Sequence, residues 1–244
     1  MQELLERVLG ALNEVRLKQS MLDSTIRIRN ARMYIPNYPQ DVIQRLIVEQ
    51  NIYWDMETLV KLDEYLDEGA VICNVGAYIG SHSLYWALER NAKKIYAFEP
   101  LPEIYQVLER NIAINNLRDV IIPYNYALFD RECIGGIFQY NAWNIGATSF
   151  IPYETRGIVK MAKLDSFDIP EKVDLLKINV QGAEVLVLEG AVELIKRDYP
   201  TIMLSSFQYK EQCEAILFPL GYIQREVIRE GENYIYTRHQ SALS

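Results

Sequence analysis

The chain lacks any surplus of basic residues: 25 Lys and Arg stand against 33 Asp and Glu, a formal charge of −8 and an isoelectric point near 5.0. Affinity for a bare nucleic-acid backbone is driven by clustered cations that release counterions, so no nucleic-acid partner is expected. No uninterrupted apolar stretch approaches the ~18 residues that cross a bilayer, and MQELLERVLG carries acids where a signal peptide carries a basic region. These two absences predict a protein of the cytoplasm with no transmembrane segment. Cysteine is scarce too. Cys73, Cys133 and Cys213 are odd in number, far apart and without C-x-x-C spacing, which suggests neither a disulfide framework nor a metal site.

What is present is apolar material: half of the 244 residues are hydrophobic and 24% are charged, enough for a packed core. The length suits one large domain, or an ordinary domain with an appendage. Residues 1–66 read as a helical extension and 67–244 as the main domain. Leu5, Val8, Leu12, Val15, Gln19 and Leu22 follow a heptad seam, interrupted at Gln19. That face has two readings: it pairs two chains into a homo-oligomer, or it packs on its own domain, Gly10 weakening the isolated helix. After Pro36 and Pro39, Asp41 begins a second amphipathic helix with Val42, Leu46 and Ile47, a candidate lid or docking arm.

From Gly69 onward AVICNV, KKIYAFE, VIIPYN, VDLLKIN and TIMLSSF read as buried strands, mostly separated by helical stretches such as SHSLYWALER and PEIYQVLERNIAIN. This predicts a parallel sheet covered on both faces. Between the third and fourth strands, about 129–168 form an expected hairpin or loop insertion, and GYIQREVIRE and NYIYTRH form a terminal antiparallel pair about Gly231-Glu232.

In such a sheet the ligand crevice lies beyond the carboxyl ends of the strands. The first strand runs into NVGAYIG, where Gly76 and Gly80 permit a tight turn and close approach of backbone to ligand. The second ends at Glu99, placed to accept the hydroxyl protons of a ribose. A dinucleotide fingerprint counted from Gly76 would need glycines where Tyr78 and Ser81 stand, which counts against NAD, and G-x-x-x-x-G-K-[ST] is absent. A nucleoside ligand without a pyrophosphate remains, and S-adenosylmethionine fits.

NVGAYIGSHSLYWA, KKIYAFEPLPEIYQVLERNIAINNL and LLKINVQGAEVLVLEGAVELI resemble, in order and spacing, the FkbM family of S-adenosylmethionine-dependent methyltransferases; the resemblance covers roughly residues 68–206. YIPNYPQDVIQ also looks like an extension on some bacterial members from surface-polysaccharide gene clusters. The resemblance implies a Rossmann-like class I methyltransferase fold of class α/β: a mostly parallel seven-stranded sheet, helices on both faces and the N-terminal helical extension. It implies O-methyl transfer to a sugar or glycoconjugate hydroxyl in polysaccharide biosynthesis. Carried over, Asn74, Gly76, Ala77, Tyr78 and Gly80 would surround the methionine part of the cofactor, Glu99 the ribose, and Pro100, Leu101 and Ala127, with Tyr126 and Leu128, the adenine. Plain core is the other reading of Tyr126, Ala127 and Leu128.

The chain departs from the family at three strand ends, with Asn74 and Asn179 in place of Asp and Ser205 in place of Glu. Asn cannot act as a carboxylate base or a strong hard-metal ligand. Methyl transfer to an alcohol needs alignment and removal of its proton. Besides Asn179, the catalytic candidates are His82, Glu184 and Asp165, each with a structural alternative: core histidine, helix-dipole partner and helix cap. In NAWNIGATS, Trp143 with Asn144, Thr148 and Ser149 offers the aromatic and polar mixture that sugars favour. The alternative to the enzyme is a catalytically silent relative serving as a binding or assembly partner.

Overall fold

The computed structural model describes residues 24–153, 157–205, 208–229 and 232–239. The heptad seam of residues 5–22 and the chain pairing drawn from it lie outside the described residues. The next segment is not helical as expected. Strands β1 (Thr25–Ile28) and β2 (Ala31–Tyr34) form an antiparallel hairpin in which Ile28 pairs with Ala31. The reason is a period of two: Ile28, Ala31, Met33 and Ile35 are buried while Arg27 and Arg32 face water. Helices α1 (Val42–Gln50) and α2 (Met56–Leu62) follow. Asp41 caps α1, accepting from the Gln44 N–H at 2.9 Å, and Asn51 closes it in the left-handed conformation.

The main sheet is built from β3 (Val71–Val75), β4 (Lys94–Phe98), β5 (Ile121–Tyr124), β10 (Leu175–Ile178), β11 (Thr201–Ser205), β12 (Tyr222–Ile228) and β13 (Asn233–Arg238). Its order is β12-β13-β11-β10-β3-β4-β5. The five inner and right-hand strands are parallel and the terminal pair is antiparallel, so the sheet is the mostly parallel seven-stranded one expected. The chain winds from β3 to β5 on one side, then returns to β10 and β11 on the other. The order therefore reverses between β3 and β10, where an open α/β sheet leaves a crevice.

Both faces are covered. Ile72 of β3 packs with α3 (Ser81–Glu89), α4 (Pro102–Ile114) and the N-terminal elements; Val71, Cys73 and Val75 pack with α5 (Glu184–Glu189), α6 (Val192–Asp198) and α7 (Lys210–Leu217). Alternation along one strand thus feeds two separate cores. Residues 24–66 belong to the first: Met33, Ile47, Tyr53 and Leu59 are buried in one cluster with Leu84 and Trp86.

The insertion is a second, four-stranded sheet of order β6-β9-β7-β8: β6 (Ala127–Leu128), β7 (Cys133–Gln139), β8 (Ser149–Pro152) and β9 (Val159–Ala162). Its Ala127, Leu128, Phe150 and Met161 line one cleft with Val75, Phe98 and Asn179 at the carboxyl ends of β3, β4 and β10. Among the described residues no helix is long and apolar enough to cross a membrane.

Candidate functional site: a cleft at the strand switch

The turn after β3 is made of backbone strain and close contact. Gly76 has φ +75°, Tyr78 φ +52° and Gly80 φ +91°. A Cβ on Gly76 would fall 1.9 Å from the carbonyl oxygen of Asn179, so only glycine lets the ends of β3 and β10 meet. The Gly76 and Ala77 N–H groups both donate to the Phe98 carbonyl, at 3.0 and 2.9 Å. This folds the turn across the end of β4 and brings Glu99 alongside it.

Glu99 is buried and held from two sides: Oε2 accepts from Tyr78 N–H at 2.8 Å and Oε1 from Leu101 N–H at 2.9 Å. Each oxygen keeps a further lone pair that can accept from a ligand hydroxyl. Burial pushes its pKa up to about 7, against the two backbone donors, which pull it down. Asn125, beyond β5, fixes the next carbonyls by donating to Glu99 O at 2.9 Å and Pro100 O at 3.0 Å. Pro100, Leu101, Tyr126, Ala127, Leu128 and Phe129 give that end of the cleft apolar walls.

The N-terminal elements and the insertion close the other side. Asp41, besides capping α1, accepts from Ile145 N–H at 2.8 Å, and Val42 N–H donates to Trp143 O at 2.8 Å. Gln44 Nε2 donates to the Tyr78 hydroxyl at 3.0 Å. Ile43, Trp54, Ile145, Gly146, Thr148 and Phe150 line the cleft as a result. The backbone of Trp54 is pinned by the first two residues of α3: its N–H donates to Ser81 Oγ at 2.9 Å, and its carbonyl lies 3.0 Å from His82 Nε2. A carbonyl can only accept, so Nε2 carries the proton. Burial first, and Lys177 next, push the pKa of His82 down to about 4, so the ring is neutral near pH 7.

The expected site residues separate into those in the cleft and those outside it. Gly76, Ala77, Tyr78, His82, Glu99, Pro100, Leu101, Ala127, Thr148 and Asn179 line it. Gly80 shapes the turn from behind, where a Cβ would meet Leu108 Cδ1 at 2.7 Å. Asn74 lies under the floor rather than in the wall: Nδ2 donates to Ser83 Oγ at 2.9 Å, and Oδ1 is buried with no partner. Asn179 presents its amide at the rim, Oδ1 accepting from Gln181 Nε2 at 3.0 Å.

Glu184 does not line the cleft. Its carboxylate accepts from the N–H groups of Val180 and Gly182, bracing the turn after β10 from inside. Asp165 accepts from Glu193 and Leu194 N–H, satisfying two first-turn donors of α6 from outside the helix, whose N-cap position is Ala191. Ser205 pairs in the sheet with Asn233, away from the cleft. Trp143 is 71% exposed and stands outside, so as an acceptor platform it is misplaced. Asn144 also lies off the cleft wall, with Oδ1 buried and unpartnered. Thr148 lines the cleft but spends its hydroxyl proton on Ile145 O at 2.7 Å.

Sequence reasoning missed several cleft residues, among them Ile43, Trp54 and Phe150, and one that is charged. Lys177, in the middle of β10, is buried and lines the cleft, with Nζ donating to Gly76 O at 2.9 Å and Val75 O at 3.2 Å. The available signal was a charge within the apolar strand segment LLKI, two residues before its polar end at Asn179. Burial pushes its pKa down to about 7, with Asp55 and Glu99 opposing the shift. Glu99 is the only carboxylate among the described residues lining the cleft.

Comparison with known proteins decides the family. The Methyltransferase FkbM domain matches residues 74–234, about two thirds of the sequence. The chain belongs to the FkbM methyltransferase family. Methyltransferase sdnD of Sordaria araneosa is 45% identical over 196 residues, covering 64% of this chain and 75% of the relative. The crystal structure of a methyltransferase FkbM from Methylobacillus flagellatus superposes with a TM-score of 0.50 at 14% identity, over 70% of this chain but 44% of that one. Sp1610 of Streptococcus pneumoniae, described as a tRNA (m1A22) methyltransferase and solved in complex with S-adenosyl-L-methionine, gives 0.51 at 15% identity, over 77% and 75%. At such identities the two structures speak for the Rossmann-like methyltransferase fold alone.

Proposed function

We propose that this FkbM-family methyltransferase uses S-adenosylmethionine and methylates a hydroxyl oxygen of a sugar or glycoconjugate, in surface polysaccharide biosynthesis in the cytoplasm. The observation that carries the cofactor is Glu99. It is a carboxylate at the carboxyl end of the strand next to the switch, locked by two backbone donors with a lone pair left on each oxygen.

The residues present fit such a group. Glu99 would hold the ribose hydroxyls, and the apolar walls around Leu101 and Ala127 would hold the adenine. The backbone of Gly76, Ala77 and Tyr78 would hold the methionine part. When bound, S-adenosylmethionine supplies an electrophilic methyl on a positively charged sulfur. Trp54 and Ile43 cover the cleft, and with Phe150 they exclude water from one wall. Asn179 and Thr148 offer polar groups that can orient a hydroxyl acceptor. The net charge of −8 favours a saccharide over a nucleic acid as that acceptor.

Calorimetric titration with S-adenosylmethionine and S-adenosylhomocysteine tests the cofactor. The expected result is micromolar binding of both, lowered at least about tenfold by Glu99→Ala, as the loss of a charged hydrogen-bond acceptor requires. Labelled-methyl transfer to a panel of carbohydrates tests the acceptor. A second reading, a catalytically silent assembly partner, draws support from Asn179, whose amide stands where a carboxylate would serve as base. Cofactor binding without transfer to any acceptor would favour it.

A further inference from the structure

A site built for a sulfonium cation contains a buried amine. Two positive charges in one low-dielectric cleft repel strongly, and the Lys177 amine is bonded to two backbone carbonyls at the cleft. The contacts themselves indicate how the conflict is resolved. A neutral amine has two N–H donors and one lone pair; Nζ already donates to Val75 O and Gly76 O, so those two bonds use both protons of the neutral form. The lone pair is then free to accept a proton, on a side chain that lines the cleft.

We propose, on the cofactor reading above, that Lys177 is the proton acceptor of this site, a neutral amine while the cationic methyl donor is bound and an ammonium once the methyl has been transferred. In the step, the acceptor oxygen forms a C–O bond, the C–S bond breaks with its electron pair going to sulfur, and the hydroxyl proton passes to Nζ. The positive charge that leaves sulfur reappears on Lys177, so the cleft carries the same charge before and after.

The groups around Lys177 support this balance. Glu99 beyond β4 and Asp55 ahead of α2 favour the ammonium, Asp55 being itself paired with Arg229 beyond β12 at 3.4 Å. His82 on α3 is neutral near pH 7 and its Nε2 proton is committed to Trp54. With burial, these set Lys177 near neutrality, where a modest added charge moves its proton on or off.

The test compares S-adenosylmethionine with S-adenosylhomocysteine, which lacks the sulfonium charge but keeps the ribose and amino acid. Calorimetry from pH 8 to pH 6, in buffers of differing ionisation enthalpy, gives affinities and protons exchanged. Expected is a ratio of the two Kd values, donor over product, that rises about tenfold from pH 8 to pH 6, as for a donor that binds only the neutral amine. At pH 6 donor binding should release close to one proton more than product binding does. Glu99 meets both ligands, and whatever part of its titration the sulfonium shifts persists in Lys177→Met, so only the change that this variant loses is assigned to Lys177. Lys177→Met, in which the ligands' own amines still titrate, should flatten the ratio. A wild-type ratio constant within about twofold, or a Lys177→Met protein that keeps the wild-type change, overturns the assignment. Absence of binding of either ligand to the wild-type protein refutes the cofactor reading itself and this inference with it.

Discussion

Replacing Gly76 by alanine isolates what the turn after β3 contributes. The substitution adds one methyl group in two unfavourable circumstances. At φ +75° a Cβ-bearing residue is strained by about 1–2 kcal/mol. The new Cβ would also sit 1.9 Å from Asn179 O and 3.1 Å from its carbonyl carbon, a backbone group that no rotamer can move. Separating them means parting β3 from β10 where Asn179 N–H donates to Val75 O at 3.1 Å and Lys177 bonds Gly76 O. Such overpacking costs about 1–3 kcal/mol, and the lost flexibility of the unfolded chain returns about 0.4–1 kcal/mol. The net expectation is about 1–5 kcal/mol.

Gly69→Ala is the matched control. Gly69 has nearly the same conformation, φ +79°, but its Cβ would meet nothing within 4 Å. It should cost only the strain less the entropy, about 0–1.6 kcal/mol. Urea unfolding followed by circular dichroism measures both, with unchanged m values showing that the transition remains comparable. Gly76→Ala should also abolish S-adenosylmethionine binding, which Gly69→Ala should preserve. Should the two variants unfold within about 0.5 kcal/mol of each other, the close approach of β3 and β10 would not be the reason for glycine at position 76.

His82 is an anchor for Trp54 in this structure, so His82→Gln, which keeps a donor for the Trp54 carbonyl, should leave the transfer rate within about fivefold, whereas loss of a general base costs about a hundredfold or more. A hundredfold loss at unchanged stability, read from kcat and thermal melting together, would return the catalytic role to this histidine. Asp41→Ala removes a helix cap and leaves the buried Ile145 N–H without its acceptor; the sum is about 2–4 kcal/mol. Melting of Asp41→Asn, which retains an acceptor oxygen, should fall between the two, and an Asp41→Ala protein as stable as wild type would show that α1 does not depend on this link to the insertion.

Most of the fold was legible because burial on both faces of a parallel sheet writes continuous apolar strands into the sequence, and all five parallel strands and the terminal pair fall within the runs AVICNV, KKIYAFE, VIIPYN, VDLLKIN, TIMLSSF and the last two. The β1–β2 hairpin was misread as helix, since ten residues of alternating Arg and apolar side chains were absorbed into the long helical pattern around them. Local chemistry also marked Gly76 and Glu99. A turn that requires glycine and a carboxylate at a strand end are properties of short segments, and three segments in order carried the family resemblance.

Tertiary structure decided the roles. Glu184 and Asp165 look like catalytic acids in the sequence, and folding gives each of them backbone N–H groups to hold instead. Trp143 reads as a sugar platform until the insertion turns it to solvent. Lys177 reads as one charge in a strand until β10 is set beside β3. Pairing of Lys177 with Asn74 in the register brings two carbonyls from a hundred residues earlier in the chain within reach of its amine. Strand and turn propensities are local and survive in the sequence; the proton affinity of a buried group is set by neighbours that only the assembled sheet brings to it.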